Sequence, residues 1–290
     1  MHNNYYFLRQ LSRRLEGKLS GAVVSECFSQ NKNELIIRFE TEQGTFFIKV
    51  SLQPTFCCLS FPKEFNRARR NSIDLFGPLA GKKVLSIHTH TNERSFSITF
   101  TEEWTVCFKM HGNKSNLILL HQESVHDLFR KKLKGDLSLN LVMLDRAVDW
   151  SYEHFEANQG QLQKVYFTFG KVIWQYLEEN GFHQKTMPEK WEFIQRLRKL
   201  LDNPSYSIAE VNEMPVLTLI PVGSVIETYN DPIIALNNFF YRFTNTFAFS
   251  SEKKAALSTL QASIASNIKH QEKAIKKLNL LKGEDRKSVV

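Results

Sequence analysis

The chain has 290 residues, 42% hydrophobic and 12% aromatic, enough apolar surface for packed cores in about two domains, so wholesale disorder is excluded. Its 38 Lys and Arg outnumber 30 Asp and Glu, leaving +8 and a pI near 9.2, a balance that suits a polyanionic partner. Cys27, Cys57, Cys58 and Cys107 form no CxxC pair and two are adjacent, which argues against a disulfide framework or a structural zinc site. They read as small buried hydrophobes in a reducing compartment. The opening MHNNYYFLRQLSRRLEGK lacks the apolar core of a signal peptide, and no stretch approaches the roughly 20 apolar residues that span a bilayer. The expected setting is the cytoplasm, with no membrane partner.

In chain order, Phe7, Leu8, Leu11, Leu15 and Leu19 recur at helical spacing with Arg9, Arg13, Arg14 and Lys18 on the other faces, an amphipathic helix with a basic outer side. Short runs rich in β-branched and aromatic residues follow at 22–28, 34–40, 45–52, 83–90, 94–100, 105–111 and 115–121. The turn signals QNKN, TEQG, TNE and HGNK between them fit a mostly antiparallel sheet or sandwich. The basic stretch KEFNRARRNSIDLF (63–76) is expected to interrupt it as a helix.

Beyond residue 125 the period turns helical, with a domain boundary expected near 125–145. Gly170 sits between two short helical runs in 161–182, and Trp191, Ile194, Leu197, Leu200 and Leu201 mark a further helix closed by Asp202-Asn203-Pro204. A strand-like pair (PSYSIAEV, MPVLTLIPV) precedes an aromatic helix at 231–247. From Ser251 onward Leu257, Leu260, Ile264, Ile268, Ile275, Leu278 and Leu281 recur every three or four residues, in a stretch with nine Lys and Arg against four Asp and Glu. That pattern is half of a coiled coil without its return strand, as in a fragment of a longer protein. Its apolar stripe could also pair with a second copy of itself.

No catalytic constellation stands out: GxSxG, Walker-type, GxGxxG and HExxH patterns are absent, and no cofactor is implied. His88 and His90 share a face of one strand, but the sequence identifies no third metal ligand. The basic clusters are more informative. Lys63, Arg67, Arg69 and Arg70 form one, and Arg130, Lys131, Lys132 and Lys134 another; each can neutralise phosphates, and each equally reads as a solvated face. The turn Gly112, Asn113, Lys114, Ser115, Asn116 after His111 combines backbone amides with small polar side chains and one lysine, an inventory for gripping phosphate or simply a hairpin turn. Phe167-Thr168-Phe169-Gly170-Lys171-Val172 looks like the centre of a helix-hairpin-helix, where glycine allows close approach to a phosphate at a helix N-terminus. Glu93 and Arg94 lie in the turn before a strand, ordinarily an exposed ion pair.

Together RRLEGK, PTFCCLSFPKEFNRARRNSI, NERSFSITF, KMHGNKSNLILL and FFYRFTNTF, in this order along essentially the whole chain, resemble the NFACT family. These are RqcH-like ribosome quality control proteins, formerly grouped by a fibronectin-binding protein A N-terminus; the wording looks nearest to Bacteroidetes-type versions. The resemblance implies an α+β fold. It comprises an N-terminal antiparallel β-sandwich with flanking helices over 1–140, similar to the N-terminal domain of formamidopyrimidine-DNA glycosylases. A helix-hairpin-helix-like helical middle domain over 141–248 and the first arm of a coiled coil over 249–290 complete it.

It further implies a non-catalytic RNA-binding factor that engages the obstructed large ribosomal subunit and tRNA and supports template-free alanine tailing of stalled chains. Peptide-bond formation would belong to the ribosome, and the rest of the same protein would supply the missing C-terminal part. Family members use an Asp-Arg pair for tRNA-dependent tailing; Glu93 and Arg94 match it, the acid one methylene longer, which bears on tRNA choice. Glycosylase chemistry is rejected, because it needs an N-terminal proline amine and this chain opens Met1-His2-Asn3. The alternatives are a surface adhesin for fibronectin or fibrinogen and a generic nucleic-acid scaffold.

Overall fold

The computed structural model describes residues 1–285. Packing divides the chain into two compact units, Met1–Arg242 and Phe243–Val290. The first is α+β. Helix α1 (Tyr5–Leu19) opens on Asn4, whose side-chain oxygen accepts the Tyr6 N–H at 2.9 Å, and buries Phe7, Leu8, Leu11, Leu15 and Leu19, the stripe expected from their spacing.

Two five-stranded antiparallel sheets follow. The first comprises β1 (Val23–Ser29), β2 (Glu34–Thr41), β3 (Gly44–Gln53), β4 (Phe56–Ser60) and β5 (Ile73–Asp74), in the order β4-β3-β2-β1-β5. The second comprises β6 (Val84–Thr89), β7 (Ser95–Phe100), β8 (Trp104–Lys109), β9 (Asn116–His121) and β10 (Ser124–Leu128), a meander with every strand beside its sequence neighbour. They meet where the Val24 N–H donates to Lys82 O and the Val84 N–H to Ala22 O, at 2.9 and 2.8 Å. Helix α1 packs on β2, β6 and β7. Central strands are covered on both faces: Leu117, Ile118, Leu119 and Leu120 of β9 are all buried. Leu139, Leu141 and Leu144 cover one face of the second sheet over Cys107, Ile118, Leu120 and Leu128. All four cysteines are free and buried.

The expected helix at 63–76 does not form. The segment runs as irregular chain through β5, drawn onto the first sheet by Phe65 and Arg67, while Arg67 also donates to Ser72 within the segment at 3.0 Å. Phe65 packs on Phe28 and Phe47, the Arg67 guanidinium lies 4.7 Å from the Phe28 ring centre and 2.7 Å from Asp74, and the Ala68 N–H donates to Gln30. Lys63, Arg67, Arg69 and Arg70 therefore do not line two helical turns.

The next region holds α2 (Tyr152–Ala157), α3 (Leu162–Val165), α4 (Gly170–Glu179) and α5 (Met187–Asp202). It is not purely helical. The expected strand pair gains a third member, giving β11 (Tyr206–Val211), β12 (Met214–Thr218) and β13 (Ser224–Tyr229) in the order β12-β11-β13. The aromatic helix and the tail form one element, α6 (Pro232–Asp285). Its Leu257, Leu260, Ile264, Ile268, Ile275 and Leu278 are at least half exposed. Leu281, Lys282, Arg286 and Lys287, counted with that stripe and its charge, lie outside the residues whose side chains are described.

Helix α1 also carries the contacts to the helical region. The Asn4 amide donates to Thr168 O and Phe169 O at 3.0 and 3.1 Å, Arg9 pairs with Asp202 at 2.5 Å and Arg14 with Asp231 at 2.7 Å. The expected cost of Asn4→Ala is about 1–2 kcal/mol in urea unfolding, with both cap and tether removed. Asn4→Asp separates the two. It keeps the cap oxygen, loses the amide donor, and should still be destabilised.

Candidate nucleic-acid interface

Glu93 and Arg94 sit in the turn between β6 and β7, where Asn92 takes φ 57° and the Glu93 N–H donates to His90 O. They do not pair with each other. The Glu93 carboxylate turns inward, accepting the Arg94 N–H at 2.8 Å, and lies 3.1 Å from His111 Nε2 and 3.7 Å from Arg146. Burial opposes its ionisation. His111 close by, the hydrogen bond from the Arg94 N–H and the charges of His111 and Arg146 outweigh that and hold the carboxyl at about 2. The Arg94 side chain is exposed and has no ion-pair partner among the described residues.

His111 leads into the second motif. Gly112–Lys114 form a single 3-10 turn, Gly112 at φ 64°, with Asn113 and Lys114 exposed. Ser115 and Asn116 are fully buried, and the Asn116 side chain is spent internally. Its oxygen accepts the Leu117 and Arg130 N–H groups, and its amide donates to Asp136 at 2.9 Å, where Lys109 also pairs at 2.5 Å. The Arg130 guanidinium donates to Asn113 O and Ser115 O, both at 3.1 Å. One member of the second basic cluster thus braces this loop, while Lys131 is exposed near Asp127 and Lys132 is exposed.

The third motif is the turn into α4. Tyr166 and Phe169 are buried, Trp150 stacks on Tyr166 with centroids 4.4 Å apart, and Gly170 takes φ 67°, which a side chain would strain. Lys171 is exposed in the first turn of α4, beside a cleft of about 570 Å³ lined by Phe167, Gly170, Trp174 and Gln175. The preceding helix α3 is one turn long, so the hairpin has a short first arm.

Arg146 ties these parts together. Its guanidinium lies 3.7 Å from Glu93 and 3.9 Å from the Phe167 ring centre. The Glu93 turn, the His111 loop and the hairpin at 167–171 therefore meet around one ion-paired cluster. Sequence reasoning missed Arg146, Asn4 and Asp136, which belong to no motif and act through partners far along the chain. Lys63, Arg69 and Arg70 are exposed, but the contacts of their segment run to the first sheet. His88 is exposed, while His90 is buried and held at about 4 by burial and then by the neighbouring His88.

No family model matches the sequence, and no curated protein matches it. Among solved structures, the fibrinogen binding protein from Staphylococcus aureus is similar at TM-score 0.59 and 15% identity, over 83% of this chain and 99% of that one. The N-terminal part of the fibronectin/fibrinogen-binding protein from Streptococcus suis is similar at TM-score 0.57 and 12% identity, over 82% and 98%. The chain shares their fold. At such identities the shared fold fixes the order of sheets and helices and leaves the chemistry of the site to this chain's own residues.

The depressed Glu93 pKa has a stability consequence. Its ordinary value is 4.5 and its folded value about 2, so the stabilisation is complete above 4.5 and is lost as pH falls toward 2. Unfolding of wild type and Glu93→Gln across that range checks it: the variant should be less stable at neutral pH, and the gap should close in acid.

Proposed function

We propose that this chain is an RNA-binding, non-catalytic factor of ribosome-associated quality control, which engages tRNA and the obstructed large ribosomal subunit in support of alanine tailing. The observation that carries the reading is the meeting of Glu93-Arg94, the 112–114 turn and the Gly170-Lys171 hairpin around Glu93, His111 and Arg146. Arg94, Lys114 and Lys171 are the exposed cations of those motifs, and the acid among them is turned inward, where it repels no phosphate. Gly112, at positive φ with open space where a Cβ would stand, lets backbone come close to a phosphate oxygen.

In this reading Arg94 and Lys171 contact tRNA, Asn113 and Lys114 contact an RNA backbone, and Lys63, Arg69 and Arg70 form a separate electrostatic patch. Glu93, Ser115, Asn116 and Arg130 position the others. No described helix is long and apolar enough to cross a membrane, and the proposed setting is the cytoplasm. The exposed stripe of α6 is proposed to pair with the C-terminal part of the same protein, or with a second copy where that part is lacking.

A second reading, a surface adhesin, is favoured by one observation: the two similar structures described above are named for binding fibrinogen or fibronectin. Binding of the full chain to tRNA, to random RNA of equal length and to fibrinogen, across a salt series, separates the readings. The expected result is preference for tRNA, lost in Arg94→Ala. A Lys63/Arg69/Arg70 charge-removal variant should show a shallower fall of log affinity with log salt, by about one unit of slope per phosphate contact removed. Equal affinity for all RNAs, or binding to fibrinogen alone, overturns the proposal.

A further inference from the structure

Beside the Glu93 turn, three ligand-bearing side chains converge from two parts of the chain. His88 lies on β6 and His90 just past its end, two residues apart along extended backbone and so on one side of it. Asp145 arrives from the segment that covers the second sheet. One ligand atom from each of the three lies within 4.8 Å of the others, and His88 Nε2 is 3.7 Å from Asp145 Oδ2.

The bonding of each group points the same way. His90 is 2% exposed; its Nε2 is 2.9 Å from Ser97 Oγ, and its Nδ1 is buried with no hydrogen-bond partner. A buried polar atom left without a partner is costly, and here it belongs to a group of three potential ligands. Asp145 spends Oδ1 on the Thr91 N–H at 2.5 Å, which orients the carboxylate and leaves Oδ2 toward His88.

We propose that His88, His90 and Asp145 bind one divalent transition metal ion, Zn²⁺ above all, through His90 Nδ1, a ring nitrogen of His88 and Asp145 Oδ2, with water as fourth ligand. Two imidazoles and a carboxylate select zinc-like ions over Mg²⁺ and Ca²⁺, which take oxygen ligands. At metal–ligand distances of about 2.1 Å, tetrahedral ligands stand about 3.4 Å apart. The 3.7 Å separation is already near that, and the exposed His88 side chain can close the rest on an Asp145 carboxylate held by the Thr91 N–H. Ser97 supplies the outer partner that fixes the His90 tautomer, with Nε2–H donating to its hydroxyl. The ion would cross-link the hairpin to the residue next to Arg146, bracing the Glu93 cluster from below.

The test is calorimetric titration of ZnCl₂ into the tag-free, chelator-stripped full chain, with Co²⁺ absorption as a second readout. One Zn²⁺ per chain, visible Co²⁺ bands of tetrahedral intensity and a raised Tm are expected. His88→Ala and Asp145→Asn, both at exposed positions, should each weaken binding at least about tenfold and abolish the Co²⁺ bands; Ser97→Ala should weaken it about 10–100-fold. His183→Ala, at an exposed histidine outside the group, should change nothing. Absence of binding by the wild-type chain, or affinity unchanged in both His88→Ala and Asp145→Asn, overturns the assignment. None of these readouts depends on RNA binding, so the RNA reading can fail while this one stands.

Discussion

One asparagine joins the two halves of the first unit. Asn4 caps α1 with its oxygen and holds the carbonyls of Thr168 and Phe169 with its amide, so the start of the first helix and the turn into α4 are fixed by the same side chain. The rest of α1 lies on β2, β6 and β7, and Arg9 and Arg14 reach Asp202 and Asp231. Exposed ion pairs of this kind contribute little individually. Part-buried hydrogen bonds to fixed carbonyls contribute more, and at Gly170 a side chain would meet both a strained φ of 67° and the Asn4 amide 3.6 Å away.

The candidate interface follows a division of labour between buried and exposed charge. Glu93, Asp136 and Lys109 are largely withdrawn from solvent and bonded to fixed partners, and they set the backbone of the two loops. Arg94, Lys114 and Lys171 stand outside on that backbone. Acids neutralised inside, with Arg94, Lys114 and Lys171 left outside, give a locally positive surface without a large excess of positive residues. Rigid loops also reduce the ordering cost when a partner binds.

The strands with alternating β-branched and aromatic residues were legible because burial and periodicity agreed, as in β2, β3, β7 and β9. Strand β10 was missed for a definite reason: its hairpin turns through Gln122 and Glu123, both at positive φ, where the usual Asn-Gly or Gly signal is lacking. The β11–β12 turn through Asn212 and Glu213 is similar, and β13 was missed because its strand is exposed and makes no apolar pattern. The stretch 63–76 has helical spacing of charge, but Phe65 and Arg67 find better partners on the first sheet, and tertiary contact overrode local preference. At the site, the residues on the motifs were readable and those beneath them were not. Arg146, Asp136 and Asn4 act on groups that lie distant in sequence, and no spacing rule reaches that far.

The segment 139–146 has only a 3-10 turn at Val142–Leu144 as regular structure, yet it is fastened along its length. Leu139, Leu141 and Leu144 sit on the second sheet, while Asp145 and Arg146 exchange hydrogen bonds with Thr91 and Asn92 of the hairpin turn. Such a segment cannot fray as an ordinary loop does, because lifting its end breaks the turn and lifting its middle uncovers the core. Opening it therefore breaks the bonds to Thr91 and Asn92 as well, which couples its loss to that of the β6–β7 turn although Val142 and Met143 stand in solvent.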